Sequence, residues 1–540
     1  MLLFYQCTEE NTLNTNTQVN QEMLAALITV LGKDNVLFDD YSTSLYAQDI
    51  FTKGIPAEVV VSPSNKYELG EILKITEKFE MIVVPRGGGM SYTKGYVPAK
   101  AHSVLVDMSR MDKVIEINTQ DMFVTVECGC TWQKLHQALK NKGVRTPYWG
   151  TLSGSKATIG GGLSQNAIFW GSGQFGTAAD SVIGLEVVLA DGTLVTTGSG
   201  AQVNSTPFFR HYGPDLTGIF TCDNGALGFK ATATFRLIPE LPAKGFLAFD
   251  FKQGQDCLAA MSEISRQGLA MECFGFDPFL QSQRLKRESL AKDVQALAGV
   301  MKSSGSILGA LKDGAKLAMA GRNYMKDVAY SVQIIVEDRI AAAVDARMQD
   351  IRAIAKQYNG SEIENSIPKI TRANPFGPIN TILGPQGERW VPVHGLFPHS
   401  KIQQAFEGVE AIFAKHAAAM EKFDIGVGYL FAVVSTHCFV IEPVFFWPDA
   451  YTEIHEKTVE SNHLAKLNKH LENLPAREKV DHIRNELSVF FSELGGVHLQ
   501  VGKTYQFKAG LQSETYKLIQ GIKDLVDPKG RINPQTLDLE

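Results

Sequence analysis

Met23, Leu24, Ala26, Leu27, Val30 and Leu31 recur at the spacing of one helical face, which predicts a helix over 20–32. A polar connector follows, and from residue 56 the pattern changes to short apolar runs between amphipathic stretches. AEVVVSP (57–63) reads as a strand, KYELGEILKITEKF (66–79) as a helix with Leu69, Ile72 and Leu73 on one face, and MIVVP (81–85) as a second strand. Strand patterns continue in HSVLVDM (102–108), KVIEINT (113–119) and DMFVTVECGC (121–130). The helix TWQKLHQALKNKG (131–143) then aligns Trp132, Leu135 and Leu139. SVIGLEVVLADGTLVTTG (181–198) predicts two strands joined at the turn pair Asp191 and Gly192, and KATATFRLIP (230–239) closes the unit near residue 241.

Beyond that point longer helices, such as 401–423 with Ile402, Phe406, Val409 and Phe413 in register, mix with the strands YSVQIIVED (330–338) and HCFVIEPVFFW (437–447). A last helix, SETYKLIQGIKDLV (513–526), stops at Asp527 and Pro528 because proline cannot continue it. The mixture predicts an α+β fold, and a chain of 540 residues exceeds the size of a single hydrophobic core.

Composition narrows the partners. Lys plus Arg (52) against Asp plus Glu (58) leaves a net charge of -6, so no nucleic-acid partner is expected. Seven cysteines without a CxxC pair indicate neither a disulfide framework nor a structural zinc site, and Cys128 and Cys130 read as small buried residues. The first 18 residues carry no basic leader, from which a cytoplasmic location is expected. No stretch reaches the ~20 apolar residues of a membrane span. The Lys-bearing, Ala-rich segment at 306–325 reads as a helix of the second unit, with a peripheral membrane contact as its alternative.

The glycines carry the chemistry. Gly87, Gly88 and Gly89 follow an apolar strand and Arg86, where a glycine backbone lets successive N–H groups converge on one anion such as a pyrophosphate. Ser91 and Tyr92 add hydroxyls. A second glycine- and hydroxyl-rich stretch spans 150–180, too long and aperiodic for a hairpin, and DNGALGF (223–229) places Gly225 and Gly228 before the closing strand. Three such segments in one unit point to a dinucleotide wrapped by backbone. GSGQFG (171–176) lacks the strand a Rossmann turn needs, and GVHLQVGKT (496–504) has Val497 where a P-loop needs glycine, so both are set aside.

On PRGGGMSYTKG (85–95), ATIGG with QN (157–166), FGTAADSVIGLEVVLADGTLV (175–195), GPDLTGIFTCDNGALGF (213–229) and DPKGRINP (527–534), the chain resembles the FAD-linked oxidases of the vanillyl-alcohol oxidase and p-cresol methylhydroxylase (PCMH) superfamily. The resemblance implies a lead-in over 1–55, a two-subdomain PCMH-type FAD-binding domain over 56–241, an α+β cap domain over 242–490, and a segment at 491–540 that returns to the flavin. It implies FAD contacts from Arg86, Gly87, Gly88, Gly89, Met90 and Ser91 in the first loop, from Ala157, Thr158, Gly160, Gly161 and Asn166 in the second, and from Gly225, Gly228 and Asn533. Members that bond FAD through the first loop carry His where Met90 stands, so noncovalent FAD is expected, with attachment through the cap domain left open.

Two branches of that superfamily remain. The expected one oxidises small D-2-hydroxy acids such as D-lactate, with hydride passing to flavin N5 and electrons to a quinone, cytochrome or oxygen; the alternative oxidises para-substituted phenols or benzylic alcohols. His498 matches a histidine common to both, but Gly495, Gly496 and Val497 stand where phenol-oxidising members have Tyr, Arg and Thr. Only His437 remains of a metal-binding HxGDGNxH segment, so no catalytic metal is expected and His437 reads as a strand histidine. RWVPVHGLFPHSK (389–401) looks closer to the phenol-oxidising branch. The expected catalytic residues are His498 as general base, Arg389 and Tyr505, and the expected substrate contacts are Arg389, His394 and Lys503, with Arg372 as a further cation. The implied partners are a small organic substrate and an electron acceptor; a homodimer stays open.

Overall fold

The computed structural model describes residues 19–285 and 327–540. The leader reading of residues 1–18 and the helix at 306–325 lie outside the described residues. The fold is α+β and is organised around three main sheets.

The first sheet runs in the order Val36–Leu37, Val59–Val61, Ser103–Asp107, Ile82–Arg86. Its last three strands pair in parallel, which explains their unbroken apolar runs: such strands are covered on both faces. One cover is the helix Lys66–Lys78, which buries Leu69, Ile72, Leu73 and Ile75 and is capped by Asn65, whose side chain accepts from the N–H groups of Tyr67 and Glu68. The strand Ile82–Arg86 ends where the triple-glycine loop begins.

The second sheet is antiparallel, ordered Val114–Asn118, Phe123–Glu127, Phe229–Arg236, Val182–Val188, Leu194–Thr196. The turn between the last two strands is set by Gly192 at φ +84° and by Asp191, whose carboxylate accepts from the Thr193 N–H. Cys128 and Cys130 leave the strand that precedes them and are both buried.

The third sheet has eight antiparallel strands, ordered Ser361–Glu362, Ala243–Phe251, Tyr330–Asp338, Glu272–Phe276, Gly426–Val434, Cys438–Trp447, Arg389–Pro392, with Gly395–Phe397 also paired to Cys438–Trp447. Period-2 alternation gives it two faces. Tyr429, Phe431 and Val433, with Ile441 and Phe445, enter the large core shared with the helices Gly254–Arg266, Ala341–Gln357, Ile402–Lys422 and Leu474–Glu493. Leu430, Ala432, Glu442 and Val444 occupy the opposite face. His437 is not a strand histidine: it is exposed in the turn at 435–437, where Ser435 takes φ +52°, and the strand starts at Cys438.

The chain end is stitched into the first sheet. After the helix Ser513–Val526, Ile532 pairs in parallel with Val83. Buried Lys523 donates to Asp527 at 2.6 Å and to the carbonyls of Ala226 and Ile532, while Asp527 accepts from the N–H groups of Arg531 and Ile532. Breaking a buried pair of this kind strands a charge at a cost of about 3–5 kcal/mol. Asp527→Ala is therefore expected to lower stability by about that amount, measured by urea unfolding followed by tryptophan fluorescence; an unchanged midpoint would show that the return segment braces nothing.

Candidate active site

The three glycine-rich segments converge on one cavity. From the first loop Arg86, Gly87, Gly88, Gly89, Met90 and Ser91 line it. Ala157, Thr158, Gly160 and Gly161 line it from the second, and Gly225 and Gly228 from the third. Glycine is required here by close approach. A Cβ on Gly88 would lie 1.9 Å from the Lys156 carbonyl oxygen, and one on Gly87 would lie 2.3 Å from the Thr158 hydroxyl. Gly225 sits at φ +71° against Pro85.

The donor set suits an anion. Among the described residues the N–H groups of Gly88, Gly89 and Met90 are bonded to no backbone or side-chain acceptor, and all three residues line the cavity. Arg86 lies over the rings of Tyr46 and Tyr96 with its Nε unpaired. Lys230, a wall residue that no motif flagged, is buried in a 2.6 Å pair with Asp223. A backbone cradle with two cations beside it fits the pyrophosphate of a dinucleotide.

Two of the residues expected on the cofactor stand one layer back. Asn533 donates to the carbonyls of Gly95 and Asn224, both wall residues, and so holds the wall without forming it. Asn166 lies between the wall residues Gln165 and Ala167 at φ +52°, with its buried side-chain oxygen unpaired.

A second cavity of about 420 Å³ adjoins the first, sharing Met90, Thr151, Ser153 and Gln500 in its wall. That volume is within the range of small-molecule sites. The segment 150–180 serves both cavities, with its first half under the cofactor site and Phe169 and Trp170 in the wall of the second. Phe169 is held at φ +153°, a strained backbone for a bulky residue. The opposite wall is the outer face of the eight-stranded sheet, with Phe276, Trp390, Leu430 and Val444, and with Glu442 as a half-buried carboxylate among them.

His394 sits at the break between the strands Arg389–Pro392 and Gly395–Phe397 and lines this cavity. Burial, with His498 adding to it, pushes its pKa down to about 3, so the ring is neutral. The Tyr505 hydroxyl oxygen accepts the His394 N–H at 3.1 Å and lies 2.7 Å from His394 Nδ1. Among the described residues the Tyr505 hydroxyl hydrogen has no acceptor other than Nδ1, so it is donated there, which leaves the ring proton on Nε2. Nε2 is buried and has no partner among the described residues.

Four sequence expectations need correction. His498 lines neither cavity: its Nδ1 donates to the His394 carbonyl at 2.8 Å and its ring stacks on Tyr505 at 4.1 Å, so it supports the residues that reach the site. Arg389 faces away, because alternation puts it on the opposite side of the strand from Trp390. Its guanidinium donates to the carbonyls of Ile50, Phe51 and Ala450. Lys503 is half-buried behind the cofactor cavity, where it donates to Val97 O and Asn533 Oδ1, and desolvation pushes its pKa down to about 7. Arg372 is likewise engaged, by Glu337 and Glu240. Sequence reasoning missed Glu442, though a signal existed: it is the one charged residue of the strand Cys438–Trp447.

Comparison with known proteins agrees with this geometry. The family model described as an FAD binding domain matches residues 57–198. Among curated relatives, glycolate oxidase subunit GlcD of Bacillus subtilis is 26% identical over 373 residues, covering 67% of this chain and 76% of that protein. The mitochondrial D-lactate dehydrogenase [cytochrome] of Arabidopsis thaliana is 34% identical over 224 residues, covering 41% of this chain and only 37% of its own length. Among solved structures, p-cresol methylhydroxylase superposes with a TM-score of 0.73 at 16% identity, covering 96% of both chains. Alkyldihydroxyacetonephosphate synthase gives 0.66 at 14% identity, covering 95% of this chain and 84% of its own. At these identities the solved structures establish the fold alone, which is shared with p-cresol methylhydroxylase. The cofactor is FAD.

Gly88→Val, whose side chain must displace the Lys156 carbonyl, is expected to give folded protein without visible flavin absorption. Acid precipitation of the parent protein should release its flavin to the supernatant, because Met90 offers no nucleophile; a yellow pellet would place a covalent link elsewhere.

Proposed function

With FAD as the premise, we propose that the protein oxidises a CH–OH carbon of a largely apolar alcohol bound in the second cavity. Its relatives make it an FAD-dependent oxidoreductase acting on CH–OH groups. The observation that carries the substrate reading is the cavity wall: aromatic and aliphatic side chains from Phe169, Trp170, Phe276, Trp390, Leu430 and Val444, with a carboxylate, Glu442, set among them. Apolar walls bind by excluding water from an apolar body, and a carboxylate in the wall disfavours a second carboxylate beside it.

When bound, FAD supplies the acceptor for the two electrons leaving the substrate carbon. The chain's own part is to place the alcohol and move its hydroxyl proton. Neutral His394 has Nε2–H free to donate to the substrate oxygen, and Tyr505 keeps the ring in that tautomer. A ring already protonated at Nε2 cannot accept there, so the proton passes to Glu442 as the alcohol becomes a carbonyl. Tyr92 is kept protonated, its pKa raised well above the ordinary value by burial and then by Glu442, and it presents a neutral phenol to the cavity. Electrons then pass to an external acceptor, for which the cytochrome in the Arabidopsis relative's name is one class.

A second reading, a D-2-hydroxy acid substrate, is favoured by the relatives themselves, since GlcD and the D-lactate dehydrogenase are named for such acids. One anaerobic experiment separates the two. Flavin bleaching by benzylic or other apolar alcohols but not by D-lactate or glycolate supports the first; bleaching by the acids alone overturns it. Glu442→Gln should retain FAD and slow bleaching by about 100- to 10,000-fold, the usual contribution of a general base. Tyr505→Phe, which removes the hydroxyl bonds to both the His394 N–H and its ring Nδ1, should cost at least about tenfold. A Glu442→Gln enzyme that reduces its flavin at the parent rate would remove Glu442 from the chemistry.

A further inference from the structure

On the far side of the cap, away from both cavities, the helices Ile402–Lys422 and Leu474–Glu493 pack against each other. Three groups with metal-ligand chemistry meet at that contact: His416 from the first helix, and His482 and Glu486 from the second. His482 and Glu486 are one helical turn apart and so share a face. His416 is buried and already holds Glu486 Oε2 at 2.8 Å through Nε2, and His482 Nε2 lies 4.0 Å from the same oxygen. All three ligand atoms lie within 4.8 Å of one another.

From this juxtaposition we propose that His416, His482 and Glu486 form a binding site for a divalent transition-metal ion of the zinc class. Two imidazoles and one carboxylate are a ligand set that zinc accepts, with bonds of about 2.0–2.2 Å and ligand atoms therefore ~3.4 Å apart in a tetrahedron. The His416–Glu486 separation is already shorter than that, and the longer one closes by rotation of His482, an exposed side chain on a fixed helix. Lys415 is the competing cation. It pairs with the other carboxylate oxygen, Oε1, at 2.6 Å, which leaves Oε2 facing the two rings and orients the carboxylate as an outer partner of a metal ligand does. The fourth position is left to water.

Such an ion would tie together two helices that pack on the large core. The second of them sends Arg484 inward to the carbonyls of Pro392 and Tyr92, next to His394 and in the cavity wall. The site is thus a brace behind the active-site wall and takes no part in the reaction, and it stands whether or not the proposed substrate is correct.

The test uses chelator-treated, FAD-loaded full-length protein titrated with Zn²⁺ alone, followed by calorimetry and by the thermal unfolding midpoint. One Zn²⁺ per chain is expected to bind more tightly than any other and to raise the midpoint. His482→Ala, a change at an exposed position, and Glu486→Gln should each weaken that event at least tenfold while leaving FAD content and flavin reduction unchanged. Co²⁺ should give visible absorption bands in the parent protein that disappear in His482→Ala. Absence of a one-to-one event, or a Zn²⁺ affinity that His482→Ala leaves intact, would overturn the proposal.

Discussion

Backbone N–H groups at Gly88, Gly89 and Met90, held open at the end of a buried parallel strand, are the constraint to which the rest of the structure answers. Converging donors bind an anion well only where the chain around them is held in place. The rigidity comes from both ends of the chain. The strand that delivers the loop is paired on one side with Ser103–Asp107 and on the other with Ile532, and Asn533 and the Lys523–Asp527 pair anchor that last contact. A segment more than 440 residues away in sequence thereby fixes the geometry of the first glycine loop.

The second cavity depends on a different physical fact, the two-sidedness of an antiparallel sheet. One face of the eight-stranded sheet is committed to four helices, and the other lines the cavity. Strand parity then decides which residues take part in chemistry. Trp390 and Glu442 are on the cavity face; Arg389 and Ile441, one residue earlier in their strands, are in the packed face. His394 escapes this rule because it occupies the interruption between two short strands, where Tyr505 from the returning segment can reach both its backbone and its ring.

The active-site residues thus divide by layer. His394, Tyr92 and Glu442 touch the cavity, while Tyr505, His498 and Arg484 hold those that do. Burial works on both layers in the same direction, keeping His394 uncharged and the phenols of Tyr92 and Tyr505 protonated. The cavity thus presents neutral donors beside the Glu442 carboxylate.

Much of this was legible in the amino-acid sequence, for a physical reason. A glycine loop after an apolar strand, an Asp-Gly turn and a Leu-Ile-Leu helical face are local features, and local sterics and periodicity act over a few residues. The chain by itself therefore determined the α+β elements, the glycine loops and, through Met90, the absence of a histidine at that position of the first loop. What lies in contact across hundreds of residues is not local. That Arg389 turns inward to Ile50 and Phe51, that His498 braces His394 without reaching the cavity, that Lys503 lies behind Asn533, and that Glu442 emerges among aromatic rings were decided only by tertiary structure, because strand pairing and burial assign each side chain a face and a neighbour.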